Sequence, residues 1–147
     1  MQALLQRVTG ARVGIDGQLM GEIGAGLVVF LGLEPGDDID VGQALIERIL
    51  KYRVFADITG RMNLSLRDTG GGLLLISQFT LAADTRSGLR PGFSTAMAPA
   101  QAEPLFERLF AYATSAHPLV AGGRFGADMQ VSLTNDGPVT FLLRSRS

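Results

Sequence analysis

Two apolar runs constrain this chain most: "AGLVVFLGL" (Ala25–Leu33) and "GLLLISQF" (Gly72–Phe79). A helix spanning a bilayer needs about 20 apolar residues, so both runs are far too short for that role. Bounded by glycines and rich in branched side chains, they read as buried strands. Helices are available to cover them. From Ile39 to Val54 the residues Val41, Leu45 and Ile49, with Ile46 and Leu50, fall at helical spacing, and Asp37 or Asp38 stands where a cap belongs. A second helix is predicted from about Pro99 to Ala113, with Ala102, Leu105, Phe106, Leu109 and Phe110 on one face. Pro104 argues for a start nearer Gln101.

The remaining segments fill in a sheet. "ALLQRVTGARVGIDG" reads as strand, bulge at Gly10 and strand, with Asp16-Gly17 as a hairpin turn. "ADITGRMNLSLRDTGG" is turn-rich and reads as loop, "TSAHPLVAGGRFGA" as irregular, and the chain closes on two strands, "MQVSL" and "VTFLL", flanking "NDGP". At 147 residues, with no repeat or linker, this is one α/β domain over residues 1–147. The expected fold is a mixed, mostly antiparallel sheet, or a barrel-like one, with two main helices packed on it.

Composition removes much familiar chemistry. There is no cysteine, and His117 is the only histidine, so Cys/His metal ligation and a Ser-His-Asp triad are poor explanations. No metal or cofactor is expected. Neither a GxxxxGK[ST] loop nor a GxGxxG turn is present. Thirteen Lys+Arg balance fourteen Asp+Glu, leaving a net charge of −1 and little drive for non-specific nucleic-acid binding. The start, "MQALLQRV", lacks the apolar core of a signal peptide, so a soluble, cytoplasmic protein is expected, with no membrane partner. His117, beside Pro118, is expected to serve packing or surface.

Hydroxyls, arginines and backbone groups remain. "SQFTL" places Ser77, Gln78 and Thr80 where a buried strand emerges, either as site residues or as an ordinary strand exit. Thr80 as a nucleophile lacks a visible base. "RSGLRPGF" (Arg86–Phe93) is either an arginine clamp for phosphates or a solvated loop, and Phe125 in "GGRFGADM" marks either a site or a β-bulge. Pro138, directly after Asn135-Asp136-Gly137, is out of place in a hairpin turn, because it donates no hydrogen bond and restricts its neighbour. It serves a trans turn or, if cis, a sharp reversal that aims successive carbonyls one way.

Together "ALLQRV", "GRMNLSL", "SQFTL", "RPGF", "GRFGADM" and "NDGPVT" resemble the D-aminoacyl-tRNA deacylase family, in order and over nearly the whole chain. One departure stands out: the family usually reads Arg-Pro-Ser-Phe where this chain has Arg90-Pro91-Gly92-Phe93. The resemblance implies a homodimer that hydrolyses the ester between a D-amino acid, or mischarged glycine, and the 3′ end of tRNA. It implies main-chain catalysis around Ser77, Gln78, Phe79 and Thr80, with the tRNA 2′-hydroxyl helping water attack. Gly137-Pro138 would be cis and enter the partner subunit's site to reject L-aminoacyl groups, with Arg7 and Met129 supporting the loop or lining the pocket. DNA is not an expected partner. The rival reading is a nucleic-acid-binding module without hydrolysis.

Overall fold

In the computed structural model, which describes residues 1–146, the chain starts as a long strand, β1 (Gln2–Ile15). It reverses at Asp16-Gly17 and returns as β2 (Gln18–Ile23) and β3 (Gly26–Gly32). Both turn residues have positive φ, 51° and 78°, as a two-residue hairpin loop requires. Asp38 then caps α1 (Ile39–Lys51), its carboxylate accepting from the Val41 amide at 2.9 Å. A small hairpin of β4 (Phe55–Ala56) and β5 (Met62–Leu64) leads to α2 (Leu66–Thr69). β6 (Gly72–Ser77) re-enters the sheet and leaves through a 3₁₀ turn (Phe79–Ala82). α3 (Pro99–Ala116), β7 (Val120–Gly122) and β8 (Gln130–Arg144) complete the order.

The two apolar runs lie side by side, β3 parallel to β6, and β6 in turn parallel to β7. Every other pairing is antiparallel, and β1 organises it, with β3 and β2 along one edge and β8 along the other. β2 comes up against β7. A Cβ on Gly21 would sit 2.6 Å from the Gly122 carbonyl oxygen, so this approach needs glycine. The sheet therefore curls nearly shut, as the barrel-like expectation holds. Alternation along the buried strands splits their side chains between two cores. Leu27, Val29, Leu31, Leu73 and Leu75 face α1 and α3, whereas Val28, Leu74 and Ile76 meet Val8, Ala11 and Val13 inside the curl. Burying each Leu, Ile or Val among these contributes roughly 1.5–3 kcal/mol, so the sheet is covered on both faces by its own sequence pattern.

Five expectations need correction, the first being that "TSAHPLVAGGRFGA" is irregular, since it holds the end of α3 and β7. α1 stops at Lys51, short of Val54. The segment read as loop holds β5 and α2, the latter fixed by a capping box. The Asp68 amide donates to Ser65 Oγ at 3.1 Å and the Ser65 amide donates to Asp68 Oδ2 at 2.9 Å. α3 begins at Pro99 as its apolar spacing predicts, so Pro104 does not move the start to Gln101, but it runs past Ala113 to Ala116. Pro104 is tolerated there because Ala100, whose carbonyl it cannot bond, is exposed in the first turn. The C-terminal segment is one strand rather than two around a hairpin turn, since both halves of β8 pair with β1. The bulge near Gly10 stands, as a register shift between Val8 and Gly10. No described helix is long and apolar enough to cross a membrane.

Candidate active site

Where β6 ends, the Gln78 amide still donates to the Leu31 carbonyl at 2.8 Å, holding the strand exit to its neighbour. The chain then tightens, with Leu81 N bonded to Gln78 O and Ala83 N to Thr80 O, each at 3.2 Å. A cavity of about 650 Å³ opens beside this turn. Ile76, Ser77 and Gln78 form one wall, and Phe79, Phe93, Phe125 and Met129 line others. The Phe79 and Phe93 rings stand 5.1 Å apart by centroid, tilted against each other and about half exposed. Phe125 is backed by Phe106 at 6.1 Å, which ties the β7–β8 loop to α3. Gly123 has no room for a Cβ beside the Met129 sulfur, so that glycine lets Met129 fold toward the cavity.

The lining is apolar, and no acidic, basic, histidine or tyrosine side chain belongs to it. Its polar equipment is the Ser77 hydroxyl, the Gln78 amide and backbone. The amides of Phe79 and Thr80 open a helical turn and so lack partners within it. No other backbone carbonyl among the described residues takes them. Gln78 Nε2 donates to Thr80 Oγ1, which occupies that oxygen as an acceptor and leaves the hydroxyl proton free to donate. That arrangement suits a positioning hydroxyl and offers no base to make it a nucleophile. Among the described residues, no group of three His, Cys, Asp or Glu could hold a metal ion.

His117 is elsewhere. It is 3% exposed, and its Nε2 lies 2.6 Å from the Gly71 carbonyl oxygen, a packing role. The arm between Ala82 and Ser94 is a small closed loop, with Asp84 and Gly92 exchanging backbone bonds at 2.7 and 3.0 Å. Arg86 is committed within it. Its guanidinium makes two 2.9 Å bonds to Asp84, whose carboxyl these bonds hold down to about 2. Only Arg90 of the two arm arginines keeps an exposed side chain without such a partner among the described residues.

The site residues expected from sequence separate into two groups. Ser77, Gln78, Phe79 and Met129 line the cavity, and Thr80 sits next to it on the 3₁₀ turn. Arg7, Gly137 and Pro138 do not line it. Gly137 and Pro138 belong to an exposed excursion of β8, and the peptide between them is cis. Arg7 reaches this excursion from β1 through the Asp136 carbonyl, at 2.9 Å. Phe93 was readable only as the end of a polar arm. Phe125 lies in a turn closed by Ala127 N and Arg124 O at 3.2 Å, not in a β-bulge. Both come to the cavity from loops far away in sequence, a juxtaposition that local pattern does not encode.

A family model described as D-Tyr-tRNA(Tyr) deacylase matches residues 4–144. A D-aminoacyl-tRNA deacylase of Azotobacter vinelandii is 61% identical over 99% of this chain and 100% of its own length. One of Pseudomonas paraeruginosa is 60% identical over 97% of this chain and 99% of its own length. Among solved structures, one titled c-Myc DNA Unwinding Element Binding Protein superposes with a TM-score of 0.95 at 37% identity, covering both chains completely. A probable eukaryotic D-amino acid tRNA deacylase superposes with a TM-score of 0.83 over 97% of each chain, and at 14% identity it speaks to the fold alone.

Proposed function

The chain belongs to the D-Tyr-tRNA(Tyr) deacylase family and is an aminoacyl-tRNA ester hydrolase, and from that premise we propose that its chemistry is done in the Ser77–Thr80 cavity by main-chain and substrate groups. The observation that carries this reading is the absence of any ionisable side chain in the cavity lining. An ester bound there meets N–H groups of the Phe79 turn, which polarise its carbonyl as negative charge develops on the oxygen. Water adds to the carbonyl carbon, assisted by the ribose 2′-hydroxyl of the terminal nucleotide. The bond to the ribose oxygen breaks, that oxygen takes up a proton, and free amino acid and tRNA leave. Catalysis is then positional and electrostatic, with Gln78 and Thr80 ordering the turn.

Chirality is checked by Gly137-Pro138 of a partner subunit in a homodimer. Three features support this reading: the loop is exposed, it is anchored at both ends, and it does not line its own chain's cavity. β8 also has β1 on one edge only, leaving its other edge open for a second copy. Backbone atoms set against the substrate's α-carbon leave no room for an L side chain, while a D side chain points outward and meets no selective pocket. Glycine, with no side chain to reject, is accepted on the same logic. The working place of such an enzyme is the cytoplasm, where charged tRNA is used.

Mixing two inactive variants tests the cross-subunit geometry. A cavity variant, Gln78→Pro, and a loop variant, Pro138→Trp, are each expected to be inactive as homodimers. Heterodimers of the two unite one intact cavity with one intact loop, so activity should return on mixing and subunit exchange. Heterodimers that form and stay inactive would contradict a shared site.

A further inference from the structure

The excursion that carries Gly137 and Pro138 interrupts an otherwise regular ladder. Val8 pairs with Asn135 and Gln6 with Thr140, so Asp136, Gly137, Pro138 and Val139 stand opposite Arg7 alone. An insertion of this size deprives peptide groups of their partners on the neighbouring strand. The side chain of Asn135 takes both groups of Val139. Its Oδ1 accepts from the Val139 amide at 2.7 Å, and its Nδ2 donates to the Val139 carbonyl at 3.2 Å. The same Nδ2 donates to Thr140 Oγ1 at 3.0 Å, a hydroxyl that Gln6 also reaches at 3.5 Å. One side-chain amide thus stands in for a strand's peptide and closes the loop at its far end, where the Val139 side chain is buried.

The chemistry is particular to asparagine. Aspartate offers no donor when ionised and would set a negative charge against the Val139 carbonyl. A serine hydroxyl is too short to bridge both groups, and glutamine is longer by a methylene. The near end of the loop is held separately, by the bond from Arg7 to Asp136.

We propose that Asn135 is a positioning residue for deacylation, its amide fixing the aim of Gly137 and Pro138 by clasping Val139. This rests on the reading that the Gly137-Pro138 loop forms the chirality gate. Asn135 touches no substrate in this arrangement, and its effect reaches the reaction through the direction of the loop backbone. The gate is therefore held from two sides, by a guanidinium before it and by an amide after it.

The test compares Asn135→Ala and Asn135→Asp with the unsubstituted dimer, using purified D-Tyr-tRNA and L-Tyr-tRNA. Hydrogen exchange at the Val139 amide is read in parallel. In Asn135→Ala, losing the part-buried bond from the Val139 amide should speed that exchange by roughly tenfold, whereas Asn135→Asp keeps the acceptor and should leave it nearly unchanged. The ratio of kcat/KM for D over L substrate should fall by about the same factor or more, with Asn135→Asp affected most and the melting temperature nearly kept. Should Asn135→Ala fail to fold, Asn135→Ser gives the same two readouts. In Asn135→Ala, faster exchange with an unchanged D-to-L ratio and D rate would overturn the proposal, as would unchanged exchange. Equal turnover of D and L substrates by the unsubstituted protein would instead defeat the underlying reading of the loop.

Discussion

Arg7 donates from Nε to the carbonyl oxygen of Asp136 at 2.9 Å, one residue before Gly137. Its Nη1 simultaneously donates to the Val54 carbonyl at 2.7 Å, just beyond the end of α1. A planar guanidinium can serve two such acceptors at once because its donors form a rigid fork. The fork fastens the exposed loop to the body of the domain, and the Asp136 carboxylate adds a 3.6 Å ion pair.

Arg7→Lys keeps the charge and loses the fork. A single ammonium cannot reproduce both bonds, and losing a charge-assisted bond costs about 1.5–3 kcal/mol. We expect kcat/KM for D-Tyr-tRNA to drop by roughly tenfold or more in single-turnover deacylation, with the melting temperature lowered by about 5 °C. A lysine variant as active and as selective as the parent would show that the fork is dispensable.

Gly137→Ala probes the loop backbone itself. Gly137 has φ near 149°, and a Cβ there would lie 2.7 Å from the Val139 nitrogen and 2.6 Å from its Cγ2. Neither atom can yield without moving the residue that Asn135 clasps. The expected result is a folded protein, by circular dichroism, that loses most of its D-Tyr-tRNA hydrolysis. Unaltered hydrolysis would mean that the loop's aim is irrelevant to rate.

Thr80→Ala should retain activity to within about tenfold, since the hydroxyl contributes a hydrogen bond or two and no covalent step. Complete loss, with an intact melt, would restore Thr80 as a nucleophile.

His117→Ala should separate stability from chemistry. Removing the ring leaves the Gly71 carbonyl without its partner in a buried site, which lowers stability by about 1–3 kcal/mol in chemical denaturation. Activity per folded molecule, and its dependence on pH, should match the parent. A shifted pH profile would place the histidine in the reaction after all.

How much of this was legible in the sequence follows from what each feature depends on. The buried strands and α1 show themselves because their side-chain periods are local properties of the chain. α2 escaped because a four-residue helix has no period to detect, and its capping box uses Asp68 where Glu or Gln is the usual signal. The closure of the sheet hangs on Gly21 meeting Gly122, two glycines whose encounter exists only in the folded molecule. The cavity was half legible. "SQFTL" marks its floor, but Phe93 and Phe125 arrive from separate loops. Asn135 looked like a turn former in "NDGP", and its actual work on Val139 depends on a register set by β1.

The central claim is that the chain discriminates handedness by exclusion at the Gly137-Pro138 loop. The most direct measurement follows deacylation of D-Tyr-tRNA and L-Tyr-tRNA side by side by the purified protein at physiological concentration. The account predicts rapid release of D-tyrosine with L-Tyr-tRNA spared. Equal turnover of the two substrates would contradict it.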